Sequence, residues 1–127
     1  MKNLLTVTAV IEGGTGLLLV AAPSFVTMLL LDSSLEGSVP LIVARLTGLA
    51  LLTLTVACWL ARLDAETRAV RGLVTAMVLY NVGAAVLLAF AGIALRHSGI
   101  GLWPAVLLHA AMSIWCVMRL LKNPAPQ

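Results

Sequence analysis

Glu12, Arg45, Asn81 and His109 each stand inside a long apolar run of this 127-residue chain. A carboxylate, a guanidinium, an amide and an imidazole bind polar solutes, pair with one another or pass protons. A charged side chain at the centre of a bilayer costs roughly 2.5 kcal/mol or more, so such residues face the protein interior and find partners there. Tyr80 adds a hydroxyl next to Asn81, and Thr15 adds another one turn from Glu12. The candidate ligand or proton pathway is therefore Glu12, Arg45, Tyr80, Asn81 and His109. Glu12 leads the set, because proton coupling needs a titratable carboxyl within the membrane, and Arg45 is the cation that would compensate it.

Helical spacing supports this grouping. Thr8, Glu12, Thr15, Gly16 and Leu19 fall on one stripe of a helix, as do Arg45, Gly48, Leu49 and Leu52, and likewise Asn81 with Met77, Ala84, Ala85 and Leu88. At about 1.5 Å per residue, Glu12 lies ~12 Å from the end of its span that faces the chain termini and Asn81 ~13 Å, with His109 at ~18 Å and Arg45 at ~24 Å. Small residues beside the polar ones allow close helix approach, and Ala9-xxx-Gly13 and Ala44-xxx-Gly48 are small-xxx-small pairs. Two roles fit the set: hydrogen-bonded glue between helices, or the lining of a polar cavity.

Other chemistry is sparse. His109, Met112 and Cys116 share a helix face and are soft-metal or haem ligand types. Only one helix supplies them, so no metal and no cofactor is expected. His97 falls in a turn and is expected to be solvent-exposed. Gly13-Gly14-Thr15-Gly16 lacks the preceding strand and the lysine of a phosphate loop, and neither GxSxG nor HExxH occurs. No enzymatic activity is expected.

The elements that position these residues follow from composition. Apolar residues make up 61% of the chain and charged ones 10%, with mean hydropathy +1.09. Soluble domains carry about 25% charge. Those figures exclude a soluble domain, a disordered chain and a disulfide framework. Eight scattered basic residues do not make a nucleic-acid surface. Cys58 and Cys116 read as buried free thiols.

The expected fold is all-α, an integral membrane four-helix bundle forming one domain over 1–127. Its spans run over about 4–31, 40–61, 72–95 and 102–121. The first is too long for a straight crossing and needs tilt or a kink at Pro23. Pro40 is read as the first residue of span 2, and 62–71 as a charged loop or interfacial turn. The N-terminus imitates a signal peptide, but Glu12, Gly13 and Gly14 interrupt its apolar region and Pro23 follows the would-be cleavage site, so an uncleaved span is expected. Lys2, Arg62, Arg68, Arg71, Arg119 and Lys122 gather on one side and Arg96 on the other, which by the positive-inside rule places both termini in the cytoplasm. Trp59, Trp103 and Trp115 sit toward span ends, as interfacial anchors do. A faint repeat lays Val10–Gly14 over Leu79–Gly83 and Pro40/Arg45 over Pro104/His109, as a duplicated helical hairpin would.

The segment Ala9-Val10-Ile11-Glu12-Gly13-Gly14-Thr15-Gly16 resembles the first helix of small multidrug resistance transporters. That resemblance implies a glutamate shared between solute and protons. The later helices depart from that family's aromatic and glycine pattern. Arg45–Leu52, Tyr80-Asn81 and Leu102–Val106 with His109 are similar to small four-span bacterial membrane proteins loosely like the DoxX group. This second resemblance covers most of the chain and implies the fold without an activity.

The functional expectation is a small multi-pass protein of the bacterial inner membrane. It would act as an accessory or self-associating subunit, with the lipid bilayer, a homo-oligomer or a larger membrane complex as its surroundings and no nucleic acid. The alternative is a proton-coupled small-molecule transporter, or a binder of lipid, quinone or another small hydrophobic ligand, built around Glu12. A haem or quinone site near His109 is a third reading.

Overall fold

The computed structural model describes residues 1–64 and 67–122. Five helices follow one another: α1 (Lys2–Ala21), α2 (Pro23–Leu31), α3 (Ser38–Ala61), α4 (Arg68–Ile93) and α5 (Leu102–Lys122). No strand occurs among the described residues. Four helices, α1, α3, α4 and α5, are long and apolar enough to cross a membrane, as a multi-pass membrane protein requires.

The stretch 4–31, expected as one tilted or kinked span, is two helices. Proline disfavours the helical conformation in the residue before it and has no N–H to donate. Ala22 accordingly leaves helical geometry (φ −139°, ψ 62°), and Pro23 opens α2. The Ala22 N–H still donates to Leu18 O at 2.7 Å, and its own carbonyl accepts from Phe25 N at 3.1 Å. Asp32 ends α2 in the left-handed region.

Two other boundaries differ from expectation. Helix α3 starts at Ser38, which places Pro40 inside its first turn, where N–H groups lack helical partners in any case. Helix α4 starts at Arg68, so the last residues of the charged 62–71 segment are helical; the Thr67 side chain caps them by accepting from Val70 N at 3.3 Å. Ala65 and Glu66, of the same segment, lie outside the described residues.

The long helices associate as two close pairs, α1 with α3 and α4 with α5. Gly16 and Gly48 set the first pair. A Cβ on Gly16 would stand 2.9 Å from Gly48 O, and one on Gly48 would stand 2.7 Å from Gly16 O. The two backbones touch, as small residues permit in membrane helices. Arg71 Nη1 ties α4 to α5 by donating to Leu120 O at 3.3 Å. The pairs are the two hairpins that the faint repeat would give, but Arg45 and His109, laid over each other in that repeat, occupy different environments: Arg45 is exposed and His109 half-buried.

Between the pairs lies a core of Leu4, Leu5 and Ala9 from α1, Cys58 from α3, Val70, Val74 and Met77 from α4, and Met112 and Cys116 from α5. It fills the end of the bundle nearest Met1. Cys58 and Cys116 are both free and buried, with Cys58 Sγ 3.7 Å from Met77 Sδ. The opposite end is closed by α2 and the turn between α4 and α5. There Gly101 N donates to Leu29 O at 2.9 Å. His97, expected in solvent, is half-buried, and its Nδ1 donates to Leu31 O at 2.8 Å. Arg96 takes a left-handed conformation (φ 58°), which turns the chain after α4 toward α2. The outer faces of the long helices carry Leu17, Leu60, Leu79, Leu87 and Leu107, all exposed.

Candidate functional site

The polar residues of α1, α4 and α5 meet between the two pairs, on the α2 side of the core. Glu12 projects from the buried stripe of α1 that also carries Thr8 and Gly16 and is only 4% exposed. Tyr80 and Asn81 come from α4, and His109 faces them from α5. The Tyr80 hydroxyl donates to Glu12 Oε2 at 3.2 Å. The rings of Tyr80 and His109 stand edge to face, centroids 5.6 Å apart.

Asn81 fixes the chemistry of His109. Its Nδ2 donates to Met77 O, one turn back on α4, at 2.8 Å. That leaves Oδ1 as the acceptor, and it lies 2.9 Å from His109 Nδ1. An amide oxygen only accepts, so Nδ1 carries the proton. In a neutral ring, Nε2 is then the acceptor. The site thus holds two proton-accepting groups, the Glu12 carboxylate and His109 Nε2, with Tyr80 between them. Two hydrogen-bonded segments, Tyr80–Glu12 and His109–Asn81–Met77, are joined by a ring contact rather than by a continuous chain of hydrogen bonds.

A cavity of about 160 Å³ adjoins this group. Its polar walls are Glu12, Thr15, Tyr80 and His109. Val26, Leu29 and Leu30 of α2 line it too, so the short helix forms part of its enclosure. The space is large enough for several waters. Sites for drug-sized ligands take roughly 300–1,000 Å³.

Of the five residues expected at the site, Glu12, Tyr80, Asn81 and His109 come together and Arg45 does not. Arg45 is exposed and does not line the cavity. The reason is angular. Gly48, Leu51 and Cys58 mark the buried face of α3, and Thr55, half-buried between them, packs on Gly13. At 100° per residue, Arg45 projects about 100° from the middle of that face. Sequence reasoning missed the contribution of α2. Pro23 was the available signal that 23–31 is an element of its own. His109 is also separated in role from Met112 and Cys116, its companions on one face of α5: it bonds Asn81, while they pack in the sulfur-rich core. Among the described residues, no three His, Cys, Asp or Glu side chains are placed to share a metal ion.

No family model, curated protein or solved structure matches this chain.

Proposed function

We propose that the protein is a proton-coupled binder or carrier of a compact solute, with Glu12 as the exchanging group. The observation that carries this reading is a buried carboxylate partnered by one tyrosine hydroxyl and opening onto a partly enclosed space of about 160 Å³. A buried carboxylate with no cationic partner in its cavity is neutralised by a proton or a small cation. Entry of the cation releases the proton, and the charge of the site is conserved. Cavity size selects compact solutes over bulky aromatic ones, which sets this reading apart from the multidrug transporters that the first helix resembles. An accessory or self-associating subunit needs no such cavity. The excess of basic residues at the end carrying both termini supports an orientation with the termini cytoplasmic.

The test is proton release from detergent-solubilised protein, followed with a pH indicator as tetramethylammonium is added. Saturable release is expected from the native protein and none from Glu12→Gln. Tetraphenylphosphonium, too large for the cavity, should release none. Release that persists in Glu12→Gln overturns the reading.

A further inference from the structure

A separate, apolar space lies on the outside of the bundle and shares no lining residue with the Glu12 cavity. It is a groove of about 450 Å³ between α4 and α5, walled by Val78, Leu79 and Val82 on one side and Val117 and Leu121 on the other. Thr75 belongs to the same wall, but its hydroxyl is turned back to Arg71 O at 3.0 Å, so the surface it offers is apolar. The groove is shallow and open along its length, a surface for an extended chain rather than an enclosed site.

The groove leads toward charge. Arg68, Gly72, Thr75, Leu79 and Val82 follow one another on a single stripe of α4. A Cβ on Gly72 would meet nothing within 4 Å, so the path from the groove to Arg68 is open. Arg71, one turn before Thr75, reaches across to Leu120 O and joins the two walls at this end. Arg119 and Lys122 lie in the last turn of α5, on the same end of the bundle, though on the side of α5 turned away from the groove. In sequence, this end collects Lys2, Arg62, Arg68, Arg71, Arg119 and Lys122 against Asp64 and Glu66, six basic residues to two acidic ones.

We propose that this groove is a binding site for an anionic phospholipid, one acyl chain lying along Leu79 and Val82 and the phosphate against Arg68. Apolar length ending in a basic cluster at a helix terminus is the complement of such a lipid, and basic pockets between membrane helices recognise anionic headgroups. A zwitterionic lipid would fill the groove equally well but leave the basic cluster without a counter-charge. The site is independent of the Glu12 cavity, and it stands or falls separately from the proposed function.

Native mass spectrometry of the full chain, released from vesicles of equimolar phosphatidylglycerol and phosphatidylcholine, tests the assignment. Retention of phosphatidylglycerol over phosphatidylcholine is expected. Each basic side chain near an anionic surface contributes about a fivefold preference, so Arg68→Gln should lower that selectivity about fivefold. Gly72→Phe, at a position with open space around it, should fold normally and reduce retention of the lipid by obstructing the groove. Equal retention of the two lipids overturns the proposal. So does unchanged phosphatidylglycerol retention in Gly72→Phe, which would mean headgroup attraction without a groove. A lipid-free dimer that Leu79→Trp dissociates would assign the groove to a second copy of the chain instead.

Discussion

Tyr80 touches both proton-accepting groups of the site: its hydroxyl donates to Glu12 Oε2 at 3.2 Å, and its ring stands against that of His109, centroids 5.6 Å apart. Removing only the hydroxyl, in Tyr80→Phe, keeps the ring contact and strips Glu12 of its tyrosine donor. In the proton-loaded state of the proposed exchange this bond joins neutral groups, and such a bond is worth about 0.5–1.5 kcal/mol net. Thermal unfolding in detergent should show a loss of that order, and the midpoint of tetramethylammonium-driven proton release should shift. An unchanged midpoint would separate Tyr80 from the exchange.

The tautomer of His109 is set by Asn81, and it is measurable. Nitrogen-15 shifts of labelled His109 should report Nδ1–H in the native protein. Asn81→Leu removes the acceptor, and the ring should then populate Nε2–H. A native Nε2–H signal would contradict the hydrogen bond from His109 Nδ1 to Asn81 Oδ1.

The contact of Gly16 with Gly48 leaves no room for a side chain. Gly16→Val and Gly48→Val must push α1 from α3, and overpacking of this kind costs typically 1–3 kcal/mol. Gly14 has nothing within 4 Å of its would-be Cβ. Gly14→Ala should therefore leave the unfolding temperature near that of the native chain. Equal effects at Gly14 and Gly48 would be inconsistent with this helix crossing.

The closure at the α2 end depends on Gly99, whose Cβ would collide with the backbone of Leu29 and Leu30. Gly99→Val and His97→Ala should each loosen α2. The readout is faster amide hydrogen exchange over 23–31 and at Gly101, whose N–H bonds Leu29 O. The exchange of Leu4 and Leu5, in the core at the far end, should not change.

Arg45→Leu should leave proton release intact, since the guanidinium lies outside the site. Loss of release comparable to that of Glu12→Gln would return Arg45 to the mechanism.

The sequence disclosed the long helices because hydropathy is a local property: α3, α4 and α5 differ from the expected spans by a few residues. It also brought out four of the five polar residues, because a carboxylate, an amide and an imidazole at similar depth have few ways to be satisfied except by meeting. Depth counting placed Arg45 by height alone. Its bearing around α3 depends on which stripe packs, and the run Gly48, Leu51, Thr55, Cys58 is distinguishable from Arg45, Gly48, Leu49, Leu52 only once the partner helix is in place. His97 was misjudged for a related reason: its partner, Leu31 O, is a backbone group brought near by the break at Ala22, and side-chain patterns carry no record of it.

The arrangement of the long helices as two close pairs has a mechanical consequence. Glu12 rides on one pair, whereas Tyr80, Asn81 and His109 all ride on the other. A rocking of one pair against the other would stretch the Tyr80–Glu12 contact first and leave the His109–Asn81 bond intact. The molecule thus has a seam at which its carboxylate can be presented or withdrawn while each helix keeps its own backbone hydrogen bonds.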